Sequence, residues 1–291
     1  MTLFHATTTI RGAEAAARLM EALDELPLAP AASGVHDRDD GSGIWEVGAY
    51  FEARPDAAGL ALLAAVHGAP DFAVAPVGSR DWLAQVRAGL TPVEAGRFVV
   101  YGSHDRDRVG AHRVRLEIEA ALAFGTGHHE STRGCLLALD GLARRGVAVA
   151  NAADVGTGTG VLAMAVARVW RSARVTAWDI DPLAAETARA NVAANRLGRR
   201  VLCLEAPGFA HPLVHARAPY DLVLANILAG PLRRLAPEMA RHTAAGSVLV
   251  LAGILTRQAA GVEAVYRGFD FTRVRRIGLG AWTTLVLRRG A

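Results

Sequence analysis

Residues 154–160 read DVGTGTG, placing glycine at 156, 158 and 160. The run follows the apolar stretch VAVANAADV (147–155) and leads into GVLAMAVARVW (160–170), so it sits where a strand hands over to a helix. Glycine lets a backbone turn through positive φ and brings main-chain N–H groups close to a ligand. A dinucleotide-binding loop would read G-x-G-x-x-G, which requires glycine at 161. Position 161 is valine. Taken alone, the glycines are equally consistent with a plain tight turn.

The surrounding pattern extends the strand–helix alternation. RVTAWDI (174–180) reads as a strand and PLAAETARANVAANR (182–196) as a helix. YDLVLANIL (220–228) and GSVLVLAGIL (246–255) are continuous enough for buried parallel strands, each followed by a helix. TRVRRIG (272–278) and AWTTLVLRR (281–289) flank a glycine turn and predict an antiparallel finish. Such alternation gives a doubly wound α/β sheet with its ligands at the carboxyl ends of the strands. The first 80 or so positions differ. Strand-like LFHATTTI, AASGVHDR, IWEVGAYFEA and FAVAPVG are interleaved with two helical patterns, in the order β-α-β-β-α-β. That order predicts a small ferredoxin-like α+β domain. We place it at 1–79, a linker at 80–96, and the doubly wound domain at 97–291.

Strand ends supply the candidate chemistry. Asp179 closes AWDID where a carboxylate can accept hydrogen bonds from a ribose diol, whereas Asp181, just before Pro182, suits a helix cap. Asn226 lies in ANILAGP (225–231), and its amide with nearby carbonyls could hold an amine nucleophile; asparagine is also a common turn former. AFGTGHHEST (123–132) carries two adjacent histidines. His129 could accept a proton near neutral pH or simply bond the backbone. A metal held by His128, His129 and Glu130 is disfavoured, because adjacent side chains seldom aim at one ion.

Composition bounds the classes. The 291 residues suffice for two modest domains, and no apolar run approaches the ~18–20 residues of a membrane span. The start, MTLFHATTTIRG, lacks a signal peptide's basic and apolar segments, which predicts a cytoplasmic protein. Cys135 and Cys203 have no metal-ligand spacing and are expected as reduced thiols. There is no lysine, so arginine supplies all 32 basic side chains, for a net charge of +4. Arginine suits phosphate and carboxylate recognition, although genomic base composition explains its use as well. The run SHDRDRVGAHRVR (103–115) mixes signs and reads as a solvated turn between strands.

The G-x-G-x-G loop resembles that of Class I S-adenosylmethionine-dependent methyltransferases. AFGTGHHEST, DVGTGTGVLA, DIDPLA, NILAGPLRRLAP and LAGIL moreover occur in the order and approximate spacing of the bacterial ribosomal protein L-eleven (L11) methyltransferase family, PrmA. The likeness is strong over about residues 95–291. It implies a two-domain enzyme whose small domain captures the ribosomal protein and whose large domain binds S-adenosylmethionine and methylates the α-amine and lysine ε-amines. Beside such a substrate, the functional reading of the run 103–115 is contact with ribosomal RNA. Family cofactor contacts fall on Thr132, Gly156, Asp179 and Asn226. Motif and resemblance together give a cofactor set of Phe124, Thr132, Asp154, Gly156, Gly158, Gly160, Asp179 and Asn226. The catalytic candidates are Asn226 and His129, no metal is expected, and the chain is expected to act as a monomer. The alternatives are a lysine methyltransferase for another protein and a non-catalytic, cofactor-binding ribosome assembly factor. Val161 disfavours a nicotinamide oxidoreductase.

Overall fold

The computed structural model describes residues 3–24, 26–28, 30, 32–37, 42–51, 53–77, 92–110, 112–118 and 129–290. Two units emerge, one holding residues 1–90 with 120–129 and the other 91–119 with 130–291.

In the first unit the six elements follow the order read from the sequence. They are β1 (Leu3–Arg11), α1 (Ala13–Asp24), β2 (Ala32–Asp37), β3 (Ile44–Phe51), α2 (Ala57–His67) and β4 (Ala73–Val77). The strands form one sheet in the order β2-β3-β1-β4, and β1 pairs antiparallel with both β3 and β4. Alternation decides which face is buried. Ala6 and Ile10 of β1 and Val47, Ala49 and Phe51 of β3 are buried, together with Leu19, Met20 and Leu23 of α1 and Leu60 of α2. Asp56 caps α2 by accepting the Ala58 and Gly59 N–H groups, which satisfies donors that a helix start leaves free.

The second unit opens with a three-stranded sheet, β5 (Val93–Ala95), β6 (Phe98–Tyr101) and β7 (Val114–Glu117). β5 therefore lies inside the stretch read as a linker. The run 103–115 joins β6 to β7 as the turn between strands that the sequence implied. Asp105 is buried, and the run ends in β7, which pairs parallel with β6.

Next come α3 (His129–Arg144), β8 (Asn151–Val155), α4 (Val161–Val169), β9 (Arg174–Asp179), α5 (Pro182–Ala194), β10 (Val201–Glu205), α6 (Pro212–Arg217), β11 (Tyr220–Asn226), α7 (Ala229–Arg241), β12 (Thr243–Leu255), α8 (Ala259–Arg267), β13 (Phe271–Leu279) and β14 (Trp282–Arg289). The seven strands are ordered β10-β9-β8-β11-β12-β14-β13. Six run in one direction, and β14 alone runs antiparallel, to both of its neighbours. The order reverses between β8 and β11, a switch point that opens a crevice beyond the strand ends. Burial explains the central strands: β8 is buried at every position, and α4 is buried from Val161 to Ala167. β13 closes the sheet as an edge. Its exposed Arg273, Arg275 and Arg276 guard it against further strand pairing.

Candidate active site

The glycine loop leaves β8 at Val155 and enters α4 at Val161, with φ of +66°, +54° and +80° at Gly156, Gly158 and Gly160. A side chain at 156 would meet Ile227 Cγ2 at 2.4 Å, whereas one at 158 would meet nothing within 4 Å. The loop backbone at 158 is thus open to a ligand. Internal bonds fix its shape. Thr157 N–H donates to the Trp178 carbonyl at 2.9 Å, and Gly160 N–H donates to the Thr157 carbonyl at 2.9 Å. From α5, the buried Asn191 amide donates to the Thr159 carbonyl at 2.9 Å.

Asp154 sits beneath the loop at 1% exposure. Its Oδ2 accepts the Thr157 hydroxyl at 2.6 Å and the Ala163 N–H at 3.0 Å, tying the loop to the first turn of α4. Burial pushes this carboxyl up to about 6. The bonds from Thr157 and Ala163 oppose that rise, and the nearby Asp179 charge adds to it. A carboxyl held above its ordinary 3.8 binds its proton more tightly in the folded chain. Its stabilising contribution is therefore present at acid pH and lost as pH rises through about 6. At 1.36 kcal/mol per unit the change amounts to about 3 kcal/mol. Asp154→Asn keeps an acceptor for both donors and removes the titration. Relative to the unaltered chain, the variant is expected to gain about 2 kcal/mol between pH 4 and pH 7 by urea unfolding. A stability difference that is flat across that range would rule out a protonated Asp154.

Asp179 closes β9 across from the loop. One oxygen accepts the Gly158 N–H at 2.9 Å and the other the Asp181 N–H at 3.1 Å. A carboxylate offers about four lone-pair sites, so capacity for two more donors remains. Asp181 caps α5 as the sequence implied, accepting Leu183 N–H at 2.9 Å with Pro182 beginning the helix.

At the end of β11, Asn226 Nδ2 donates to Thr132 Oγ1 at 3.1 Å, across 94 positions of sequence. Thr132 is buried in the first turn of α3. Asn226 Oδ1 is buried as well, yet has no hydrogen-bond partner among the described residues. An orphaned amide oxygen costs about 1–3 kcal/mol unless a donor reaches it. Gly253 in β12 makes this corner possible. A side chain there would stand 2.5 Å from the Ile227 carbonyl oxygen, and its φ is +77°. The β12–β14 register shifts between Leu251 and Ile254, so the bulge lies beside Asn226, whose partner in β12 is Ala252.

The structure thus brings Thr132, Asp154, Gly156, Gly158, Gly160, Asp179 and Asn226 to the carboxyl ends of β8, β9 and β11. Phe124 and His128 lie outside the described residues, as does the side chain of His129, whose backbone begins α3. Asn191 and Gly253 went unread as parts of the site, because their partners are distant in sequence and no local motif marks them. The two thiols take no part in the loop: both cysteines are free and buried, and burial raises both, Cys203 to about 11.

Comparison with known proteins identifies the family. The family model for ribosomal protein L11 methyltransferase (PrmA) matches residues 14–290. A ribosomal protein L11 methyltransferase of Bradyrhizobium diazoefficiens is 46% identical over 284 residues, covering 96% of this chain and 95% of that protein. One from Rhodopseudomonas palustris is 44% identical over 287 residues, covering 96% and 95%. The crystal structure of a ribosomal protein L11 methylase from Lactobacillus delbrueckii subsp. bulgaricus superposes with a TM-score of 0.60 at 25% identity, covering 69% of this chain and all of that one. With its glycine loop, strand-end carboxylate and Asn226 corner in one crevice, the chain belongs to the ribosomal protein L11 methyltransferase family.

Proposed function

We propose that the protein transfers methyl groups from S-adenosylmethionine to amines of ribosomal protein L11, at lysine ε-amines and the N-terminal α-amine. The observation that carries this reading is the buried Oδ1 of Asn226, which has no partner among the described residues, beside the glycine loop. A neutral acceptor with no donor of its own suits an N–H that arrives with a ligand.

The residues present fit the cofactor. Asp179 retains acceptor capacity for the two hydroxyls of a ribose, and among the described residues nothing lies within 4 Å of a side chain placed at Gly158. When bound, S-adenosylmethionine supplies a methyl group on a sulfonium sulfur, which an amine lone pair can take in one displacement. The chain's task is then mostly alignment. Thr132 fixes the Asn226 amide so that Oδ1 is the atom left to accept. Accepting one amine N–H there orients the nitrogen lone pair. Freeing a lysine amine at pH 7 costs about 4–5 kcal/mol from its reference pKa of ~10.4. A neutral amide in a water-poor corner lowers that cost, since burial disfavours the ammonium. No side-chain base is needed for this step.

Incubating the protein with S-adenosylmethionine labelled in its methyl group and purified L11, followed by mass mapping, tests the proposal. Label is expected on L11 amines. Label on another protein, with none on L11, would favour a lysine methyltransferase of different substrate. Cofactor binding with no transfer to any ribosomal protein would favour an assembly factor.

A further inference from the structure

A second cavity, of about 520 Å³, opens away from the glycine loop, between β6–β7 and the carboxyl-terminal ends of α4 and α5. Five arginines line it, Arg113, Arg115, Arg168, Arg171 and Arg196, against one carboxylate, Glu117. That carboxylate is already paired. Both of its oxygens accept bonds from Arg106, and this contact holds Glu117 below the usual carboxylate range. Arg113 is paired with Glu94 at 2.8 Å. The other four have no ion pair among the described residues.

Helix capping accounts for only part of this charge. Arg200 donates to the Ala167 and Arg171 carbonyls, and Arg168 Nη2 donates to the Asn195 carbonyl at 3.0 Å. Arg171 and Arg196 have no side-chain partner among the described residues. The Nε atoms of Arg115 and Arg168 are buried without a hydrogen-bond acceptor. Burial and then the crowding of Arg200 and Arg171 pull the Arg168 guanidinium below its ordinary value. Arg115 lies over the Tyr101 ring at 5.1 Å, which fixes its plane. Like charges gathered around buried, unfilled donors favour an anion in the space between them. Planar forks match phosphate oxygens in pairs.

We propose that this cavity is a phosphate-binding site. Phosphate could arrive as the backbone of an RNA or as a small free phosphate. Arg115 and Arg168 each spend one N–H on a backbone carbonyl, but four arginines without an ion pair among the described residues still exceed what one phosphate engages through a bidentate fork, which favours a chain carrying several. The site lies outside the cofactor crevice, so its occupancy is measurable without methyl transfer.

The test titrates the full chain with a fluorescent single-stranded RNA 12-mer and, separately, with pyrophosphate. Arg171→Gln/Arg196→Gln removes two exposed arginines and leaves the capping bonds intact. Arg233→Gln/Arg234→Gln, on the exposed face of α7, removes equal charge elsewhere. The first pair is expected to weaken RNA at least tenfold. It should also flatten the slope of log K against log salt by about 1.4, at ~0.7 per lost phosphate contact. Pyrophosphate binding that falls in the same variant, without RNA binding, supports the site and assigns it to small phosphates. Binding of neither probe, or equal losses in both double variants, overturns the proposal.

Discussion

Asn226→Ala is expected to lower kcat on L11 by about 10²–10³, the usual effect of removing a preorganised polar group from a reaction centre. The expectation follows from the two ends of one amide. Nδ2 is committed to Thr132, and Oδ1 is buried with no partner among the described residues. Removing the amide frees the nucleophile to rotate, and small misplacements cost alignment steeply. Calorimetry with S-adenosylmethionine alone separates the two tasks the amide could serve. A cofactor Kd within a few-fold of the unaltered chain assigns Oδ1 to the substrate amine, whereas a large rise in Kd assigns it to the cofactor's methionine end. Thr132→Val should reproduce part of the loss, about tenfold, because the amide is then no longer locked. A kcat within threefold of the original in Asn226→Ala would remove the residue from the mechanism.

Gly253→Ala is expected to destabilise the second unit by about 3 kcal/mol. The left-handed backbone costs a non-glycine residue roughly 1–2 kcal/mol. The new methyl would also stand 2.5 Å from the Ile227 carbonyl oxygen and 2.8 Å from its carbon. Those are main-chain atoms of the segment that follows Asn226, so relief requires the corner itself to move. Overpacking of this kind adds about 1–3 kcal/mol. At 2–4 °C per kcal/mol for a domain of this size, Tm should fall by roughly 6–12 °C. Gly146→Ala is the control. Its φ is +69°, but its Cβ would meet nothing within 4 Å, so it bears the conformational cost alone. Equal losses in the two variants would show that the contact with Ile227 carries no energy.

The parts of the site legible in sequence were those whose signal is local. DVGTGTG sits between a buried strand and a buried helix, and Asp179 and Asn226 each end a strand, so the α/β alternation placed them together. Partnerships across the fold were not legible. Asn226 meets Thr132 over 94 positions and Asn191 meets Thr159 over 32, and neither spacing marks a motif. β10 escaped notice because it is a five-residue edge strand, half-buried or exposed at Leu202, Leu204 and Glu205. β5 escaped because it is three residues long and falls within the stretch read as a linker. The arginine cavity draws on three separate segments, so its concentration of charge exists only after folding.

The position of β14 has a consequence for how the chain is made. Residues 282–289 do not finish the large sheet at its rim; they slot between β12 and β13. While a ribosome is still synthesising the chain, β12 and β13 leave the exit tunnel with a one-strand gap between them. β12 then presents an unfilled flank carrying Leu249, Val250 and Leu251, all buried in the finished protein. The sheet around the crevice can close only after residues 282–289 have been made. Until then this nascent enzyme depends on not pairing that flank with a neighbour's.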